Sequence, residues 1–268
     1  MAQLLVCSAD GTEISAEIHG AGRPLVIVSG ALFASERWLP TVTLLAKERK
    51  PYLVDRRGRG KSGNHAPYSP EREVEDLLAV LAGIGEPADL LGHSSGAILA
   101  LQTAARAPAN LERLVVYEPP VFFNEADRIA LDLPERLEAL LAAGQLEQAV
   151  ETFLLEGPRT SEAELRGMQA SSFWSALVRA FGHTVPYDSR VQRSLSGSVE
   201  ELQGIRIPTL MLIGGASPER MVTGARTIAA RLPQAQIVEL PEQQHMAQMT
   251  ATPLFASAVN RFLAAPVG

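Results

Sequence analysis

The sequence predicts an α/β protein with a mostly parallel central sheet, helices on both faces and an all-helical insertion. Short, continuous apolar runs alternate along the 268-residue chain with segments whose apolar residues recur at three- and four-residue spacing. Continuous apolar runs are typical of strands buried on both faces, which is the usual condition in a parallel sheet. The alternation stops between about residues 122 and 202, where the periodicity is helical throughout. This stretch is therefore predicted to lie over one end of the sheet.

The strands are predicted from the apolar runs and from the turn residues that bound them. The first two strands flank Asp10-Gly11, a pair that favours a tight turn, so they are interpreted as a hairpin at one edge of the sheet. The others are separated by helical segments and are expected to pair in parallel. The predicted strands cover residues 4–8, 12–19, 24–30, 50–55, 88–94, 113–120, 207–215 and 235–241.

Helices are predicted between the strands. Ser69 followed by Pro70 is typical of a helix N-terminus, because serine favours the N-cap position and proline the first helical position. The predicted domain division is a core formed by residues 1–121 and 203–268, with a helical cap formed by residues 122–202. The helices assigned to the core cover residues 35–48, 69–85, 96–108 and 218–233.

The charge distribution argues against a nucleic-acid partner. The chain has a net charge of −6, and its basic residues are scattered except in the run from Asp55 to Lys61. That run places four basic residues at six successive positions, a density that a phosphate site would also show. In a protein of acidic overall charge we interpret it as a solvated loop after a strand.

The remaining bulk features predict a cytoplasmic protein. Cys7 is the one cysteine, so no intramolecular disulfide can form, and it is expected to fill a strand position. The N-terminus lacks the charge and apolar length of a signal peptide, and no segment has the roughly 18 apolar residues of a membrane span. No metal-binding cluster or cofactor motif is found, so we expect no metal and no cofactor. The sequence leaves open whether the protein is a monomer or a homodimer.

The stretch GHSSG, residues 92–96, predicts a nucleophile at Ser94. It joins a buried-type strand to a helix that begins with small residues, which is the context that a nucleophile elbow requires. In such an elbow the serine has a strained backbone, and Gly92 and Gly96 allow the strand and helix to approach closely. A serine hydroxyl is a weak nucleophile by itself, so Ser94 needs a base and an orienting carboxylate.

Four motifs together resemble the α/β-hydrolase fold family and span about residues 20–265. They are VSGAL, VDRRGRGKSG, GHSSG and PEQQHM, in this order along the chain. Narrower features such as YEPP and PYD resemble a bacterial subfamily whose catalytic acid follows the sixth strand. The resemblance implies an α/β-hydrolase fold with a mostly parallel sheet and a helical cap, and catalytic residues in the order serine, acid, histidine.

The resemblance implies that His245, in the loop after the last strand, is the general base. The acid is less obvious, because Ser217 stands where the family's usual aspartate is expected. Glu118 closes an apolar strand, where an unpaired carboxylate is costly, and it keeps the expected order between Ser94 and His245. Glu118 is therefore the favoured acid. Glu219 is the alternative, with dipole compensation at a helix start as its structural role.

The oxyanion hole is expected from the backbone N–H groups of Ala31 and Ser95. Ser29 departs from the histidine that many relatives have in this loop, but the donors are backbone amides and the hole is not excluded by the change. His93, inside the elbow, is expected to point away from Ser94. Substrate contacts are expected in the cap region from Phe122, Trp174 and His183.

The resemblance implies a serine hydrolase that cleaves an ester, thioester, lactone or amide of a small-to-medium apolar molecule through an acyl-serine. The haloalkane dehalogenases, which also hold their acid after the earlier strand, are excluded because their nucleophile is an aspartate. Three alternatives use the same scaffold: a non-hydrolytic biosynthetic enzyme, a ligand-binding protein, and a cofactor-free perhydrolase or C–C bond hydrolase. The partner expected in each case is a small molecule.

Overall fold

The computed structural model describes residues 2–33, 35–195 and 199–265. Its strands form one sheet in the order β1-β2-β4-β3-β5-β6-β7-β8. The first strand pairs antiparallel with β2 and β2 pairs antiparallel with β4, whereas every other pairing is parallel. The predicted hairpin and mostly parallel sheet are confirmed. The strands are β1 (Ala2–Cys7), β2 (Glu13–Ile18), β3 (Pro24–Val28), β4 (Lys50–Val54), β5 (Ala88–His93), β6 (Leu111–Tyr117), β7 (Thr209–Gly214) and β8 (Ala235–Leu240).

Helices cover both faces of the sheet. One buried apolar cluster packs α2, α3 and α9 against one face, and a second packs α1 and α11 against the other. The helices that flank the sheet are α1 (Leu39–Leu45), α2 (Pro70–Ile84), α3 (Ser95–Ala105), α9 (Glu219–Ala229), α10 (Ala247–Thr250) and α11 (Thr252–Ala264). Ser69 is the N-cap residue of α2 with Pro70 at its first position, as expected, although the serine side chain makes no capping hydrogen bond.

The chain between β6 and β7 contains only helical elements among its described residues. Its helices share a third apolar cluster, which is separate from the two clusters of the sheet. They are α4 (Leu133–Ala142), α5 (Leu146–Glu156), α6 (Glu162–Gln169), α7 (Trp174–Phe181) and α8 (Val185–Ser194). This is the helical character expected for residues 122–202, while the division of the chain into two domains stays a prediction.

Every strand ends at least one residue earlier than the sequence predicts, and two of them stop directly before a residue with positive φ. The fifth strand stops at His93 because Ser94 has φ 56°, and β6 stops at Tyr117 because Glu118 has φ 45°. Positive φ breaks the strand ladder and is costly for residues other than glycine. Both residues therefore leave the sheet at the carboxyl ends of neighbouring strands.

None of the described helices combines the length and the apolar character that a membrane crossing requires.

Candidate active site

Ser94 occupies a strained turn between β5 and α3. Its φ of 56° and ψ of −128° fall outside the allowed regions for an L-residue, and its N–H donates to the Tyr117 carbonyl at 3.0 Å. A Cβ at Gly92 would collide with the backbone of Ala97 at 2.7 Å, and one at Gly96 would collide with the carbonyl carbon of Ser29 at 2.9 Å. The glycines on either side of the serine are thus required by close backbone packing, as expected for a nucleophile elbow.

The loop after β3 passes directly beside Ser94. A Cβ added to Gly30 would lie 2.6 Å from Ser94 Cβ. Ala31, the next residue, and Ser95, at the start of α3, both have backbone N–H groups that donate to no acceptor in the described part of the chain. Two unused amides on the segments that flank the serine are what an oxyanion hole requires, and their assignment to that role stays a prediction.

The structure brings Glu118 and His245 together across 127 residues of sequence. Glu118 is fully buried, and its Oε2 accepts a hydrogen bond from His245 Nδ1 at 2.8 Å. Its Oε1 accepts from the Gly214 N–H at 2.8 Å. Glu219 begins α9 instead, where it is exposed and accepts a hydrogen bond from Thr223. Among the described contacts His245 therefore has a carboxylate partner in Glu118 and none in Glu219.

The surroundings of Glu118 keep it ionised. Burial alone would raise the pKa of its carboxyl, but the hydrogen bond and charge of His245, with further contributions from the Ser217 hydroxyl and the Gly214 N–H, hold the pKa below its usual value. Ser217, the residue at the position of the family's usual aspartate, thus lies beside the carboxylate that comes from β6. The Glu118 carboxylate reaches His245 from the end of β6, next to β7, because parallel strands finish at the same edge of the sheet.

Ser94 Oγ and His245 Nε2 are not hydrogen-bonded to each other in this structure. Neither atom has a partner among the described residues, and a third of the His245 side chain (33%) is exposed. The imidazole is held through Nδ1, so Nε2 is the nitrogen that is left to accept a proton. Long or absent serine–histidine contacts are common without substrate and do not exclude a catalytic pair.

The loop that carries His245 is held by two side chains of the sheet. Tyr117 OH donates to the Gln244 carbonyl and accepts from the Ala247 N–H at 3.1 Å. His93 Nε2 lies 2.9 Å from the His245 carbonyl, which can only accept, so this nitrogen must carry a proton. Sequence reasoning assigned His93 no role beyond pointing away from Ser94, since only the folded chain shows that its ring reaches the histidine loop.

His93 is neutral in the folded protein. Burial, with a smaller contribution from His245, lowers the pKa of its imidazole well below the ordinary value. The ring is surrounded by the aromatic side chains of Phe33, Trp38 and Tyr117. A neutral His93 can donate from Nε2 while Nδ1 faces the Gln248 amide at 3.4 Å.

The His93→Gln variant should lose less stability in acid than the wild type. The unfolded chain protonates His93 below about pH 6.5 whereas the folded protein does not, so acid favours unfolding. Glutamine retains an N–H donor but does not titrate. The free energy of unfolding is measured with urea at pH 8 and pH 5. For each pH unit below 6.5, the wild type should lose up to about 1.4 kcal/mol more of it than the variant does. If the free energies of unfolding of wild type and variant differ by the same amount at both pH values, the prediction is contradicted.

Three of the four basic residues in the run after β4 are buried and only Lys61 is exposed, so the interpretation of the run as a solvated loop is wrong. Arg56, Arg57 and Arg59 are each at most 5% exposed. Arg56 donates to both oxygens of Glu73 at 2.7 Å and Arg59 donates to Asp188 at 2.7 Å. The compensating carboxylates come from α2 and α8, which are distant in sequence, and the local pattern therefore did not reveal them.

Asp188 connects the helical insertion to the turn that carries Ser94 and Ser95. This fully buried carboxylate accepts from Arg56 Nη1 at 2.8 Å and from the Ser95 hydroxyl at 3.2 Å. Arg56 Nη1 also lies 3.0 Å from Ser95 Oγ. The residue whose amide is the expected oxyanion donor is thus held by a side chain of α8.

Asp188→Asn should cost roughly 3–5 kcal/mol of unfolding free energy, because it leaves two buried guanidinium groups without a full counter-charge. Urea denaturation at pH 7 measures the loss. Glu162→Gln is the matched control, since it breaks a largely exposed pair with Arg166 on α6. A loss at Asp188 no larger than the loss at Glu162 would show that the buried network does not stabilise the fold.

A cavity of about 540 Å³ lies between α7 and the loops after β3 and β4. Ser94 does not line it, but Ser29 does, and Ser29 precedes the glycine that touches Ser94. Its lining is largely apolar, and sequence reasoning missed most of it because its members come from three separate segments. They include Leu32, Phe33, Val54, Phe173, Leu177 and Phe181, with Arg37, Arg56 and Arg59 as the basic members.

The three residues expected to contact substrate are not part of this lining. Trp174 is packed in the apolar cluster of the insertion and its Nε1 donates to Glu147. His183 is exposed, with Nε2 2.8 Å from the Gly58 carbonyl, and Phe122 is buried after β6. Their contact with substrate stays a prediction, and Phe173 is the aromatic residue of α7's N-terminus that reaches the cavity.

Comparison with known proteins gives the same fold over nearly the whole chain. A model described as the Alpha/beta hydrolase family matches residues 18–258. The crystal structure of an alpha/beta hydrolase from Sphaerobacter thermophilus superposes with a TM-score of 0.88 and 36% identity, covering 97% of this chain and all of that one. The predicted family resemblance and fold are confirmed.

Two curated relatives of similar length have named activities. The chain is 26% identical to the N-formylmaleamate deformylase of Pseudomonas putida, with 92% of this chain and 91% of that protein covered. It is 24% identical to a pimeloyl-(acyl-carrier protein) methyl ester esterase of Legionella pneumophila, with 91% and 97% covered. Both names describe cleavage at a carbonyl carbon.

Proposed function

The chain belongs to the alpha/beta hydrolase family and is a hydrolase, and we propose that it cleaves an ester, thioester or lactone through an acyl-enzyme on Ser94. One observation carries the proposal: the buried carboxylate of Glu118 accepts a hydrogen bond from His245 Nδ1 at 2.8 Å. A carboxylate in this position sets the tautomer of the histidine, so that Nε2 is the basic nitrogen. The strained backbone of Ser94 adds support.

In the acylation step Ser94 Oγ attacks the carbonyl carbon of the substrate while His245 Nε2 takes the hydroxyl proton. The C=O electron pair moves onto oxygen, and the oxyanion is stabilised by the N–H groups of Ala31 and Ser95. When the tetrahedral intermediate collapses, the bond to the leaving group breaks and His245 returns the proton to the departing oxygen or sulfur. Glu118 stays ionised and stabilises the imidazolium that forms between these events.

Deacylation repeats the sequence with water as the nucleophile. His245 Nε2 takes a proton from water, the hydroxide oxygen bonds to the acyl carbon, and the bond to Ser94 Oγ breaks as the serine regains its proton. The N-terminus of the 11-residue helix α3 lies behind Ser94 and favours negative charge in both steps.

The relatives support the bond type. One is named a methyl ester esterase and another a deformylase, so acyl groups on oxygen and on nitrogen are both cleaved by proteins similar to this chain. The absence of a carboxylate at Ser217 is compensated by Glu118 in the proposed mechanism. This is why we favour catalysis over the alternative of a ligand-binding protein on the same fold.

Partition of the acyl group tests the mechanism. Phenyl and p-nitrophenyl esters of the same acid form one common acyl-enzyme, so added methanol should give the same ratio of methyl ester to free acid from both. The test esters should cover acyl groups of increasing length, because the triad does not specify which acyl group is preferred. Product ratios that depend on the leaving group, or no turnover of any activated ester, would exclude an acyl-serine hydrolase.

A further inference from the structure

Arg37 presents a guanidinium group to the cavity under α7 and has no carboxylate partner among the described residues. It lies in the 3₁₀ turn Ser35–Trp38, after β3, and is only partly exposed. Its guanidinium carbon lies 5.1 Å from the centre of the Phe33 ring and 5.5 Å from that of Phe173. No acidic side chain lies within 4.0 Å of it and no hydrogen bond satisfies it in the described ranges of the chain.

This contrasts with the other arginines of the cavity. Arg56 and Arg59 are paired with Glu73 and Asp188, so their charges are compensated inside the protein. Burial lowers the pKa of Arg37, which is the mark of a cation that is partly removed from water without compensation. Arginine nevertheless stays protonated at neutral pH, so its charge remains available to an anion.

A second arginine that lines the same cavity has an unused donor. Arg59 donates from Nε to Thr184 and from Nη2 to Asp188, but its buried Nη1 has no hydrogen-bond partner in the described residues. The side chain of Arg59 is 4% exposed, so bulk water does not replace the missing acceptor. A buried donor without an acceptor is costly unless a ligand or ordered water completes it.

The carboxylates near Arg37 do not provide its partner. Asp55 lines the cavity, but its Oδ1 accepts from Ser35 Oγ and its Oδ2 from the Lys61 N–H, both at 3.0 Å. Glu36 also borders the cavity and is exposed to solvent. The rest of the lining is mostly apolar, which favours a ligand with an apolar body and few polar groups.

We propose that Arg37 binds a carboxylate of the substrate, so that the molecule cleaved at Ser94 carries a second, ionised carboxyl group on its apolar body. That the bound molecule is cleaved at Ser94 rests on the proposed function. That a carboxylate binds at Arg37 rests on the cavity alone. The rings of Phe33 and Phe173 hold the guanidinium in place, and its planar fork matches a carboxylate through two parallel hydrogen bonds. Arg59, whose Nη1 has no partner among the described residues, is a second arginine of the cavity with an unused donor.

Matched substrates test the inference through kinetics. Mono-p-nitrophenyl esters of dicarboxylic acids, from succinate to suberate, are compared with their neutral methyl esters. A second set places the carboxylate on the leaving group, as in acetylated hydroxybenzoates. The half-ester of the best length should be preferred over its neutral counterpart. Arg37→Gln should lower the kcat/KM of this half-ester roughly 10- to 100-fold, mainly through KM, and should lower that of the neutral ester much less.

Two further variants refine the kinetic test. Arg37→Lys retains the charge but loses the planar fork, so it should give an intermediate loss. Arg166→Gln removes an exposed arginine that pairs with Glu162 on α6, so it should behave as the wild type toward every substrate. An Arg37→Gln variant with unchanged kcat/KM on all half-esters would overturn the inference.

Binding without turnover separates this inference from the proposed function. In a Ser94→Ala background, calorimetry should detect binding of hexanoate but not of hexanamide, and Arg37→Gln should abolish it. If hexanoate binds through Arg37 while no ester is hydrolysed, the carboxylate site stands and the proposed reaction fails. If esters are hydrolysed through Ser94 while hexanoate binding is absent or insensitive to Arg37→Gln, the reaction stands and the carboxylate site is excluded.

Discussion

Ser94→Ala should abolish ester hydrolysis and labelling by a fluorophosphonate probe. The variant keeps the fold, since alanine adds no atom to the tight turn, but it removes the oxygen that forms the acyl bond. We expect kcat for a p-nitrophenyl ester to fall roughly 10⁴- to 10⁶-fold, as when the nucleophile is removed from a known serine hydrolase. Initial rates under saturating substrate, together with gel fluorescence of the labelled protein, measure both effects.

Ser257→Ala is the control for the nucleophile. This serine is exposed on α11 and far along the chain from the elbow, so its loss should change neither rate nor labelling. Probe labelling that persists in Ser94→Ala would place the reactive serine elsewhere. Retained labelling in Ser257→Ala with loss in Ser94→Ala would support the proposed assignment.

Glu118→Gln should lower kcat roughly 10³- to 10⁴-fold while the protein remains folded. A glutamine fills the same volume, and its carbonyl oxygen can still accept from the Gly214 N–H. It cannot stabilise an imidazolium, and its amide group favours the wrong tautomer of His245 if it faces Nδ1. Steady-state kinetics report the loss, and circular dichroism reports whether the fold persists.

Glu219→Gln is the matched control for the acid. Glu219 is an exposed residue at the first position of α9, and its hydrogen bond is made with Thr223 one turn along the same helix. Activity in this variant should equal that of the wild type. A larger loss from Glu219→Gln than from Glu118→Gln would reverse the assignment of the acid.

Much of the fold and the tight turn at Ser94 could be predicted from short stretches of sequence. The alternation of apolar runs and helical segments depends on residues within one turn or a few positions of each other, and it predicted the sheet and its flanking helices. The small residues around Ser94 in GHSSG likewise act on their immediate neighbours, since a strained turn excludes bulk at adjacent positions. Such features can be predicted from sequence because the residues that determine them lie close together in the chain.

The carboxylate of the proposed triad could not be chosen from local sequence alone. The sequence could present Glu118 and Glu219 as alternatives, but it could not measure which carboxylate lies beside His245. That choice depends on the order of β6 and β7 in the sheet and on the positive φ of Glu118, which turns the chain out of the strand. The sequence favoured Glu118 because burying an unpaired carboxylate costs free energy. Its contact with His245 is visible only in the folded chain.

By itself the sequence determined the class of fold, the tight turn at Ser94 and the position of His245 in the loop after the last strand, because each is encoded by residues that are neighbours along the chain. The tertiary structure alone decided the burial of Arg56 and Arg59, the part of His93 in holding the histidine loop, and the cavity that Arg37 faces. Those features depend on side chains from distant segments, such as Asp188 on α8, that meet only when the helices pack on the sheet. Whether a charge is solvated or paired is settled by that packing, since its cost depends on which groups surround it and not on its own residue type.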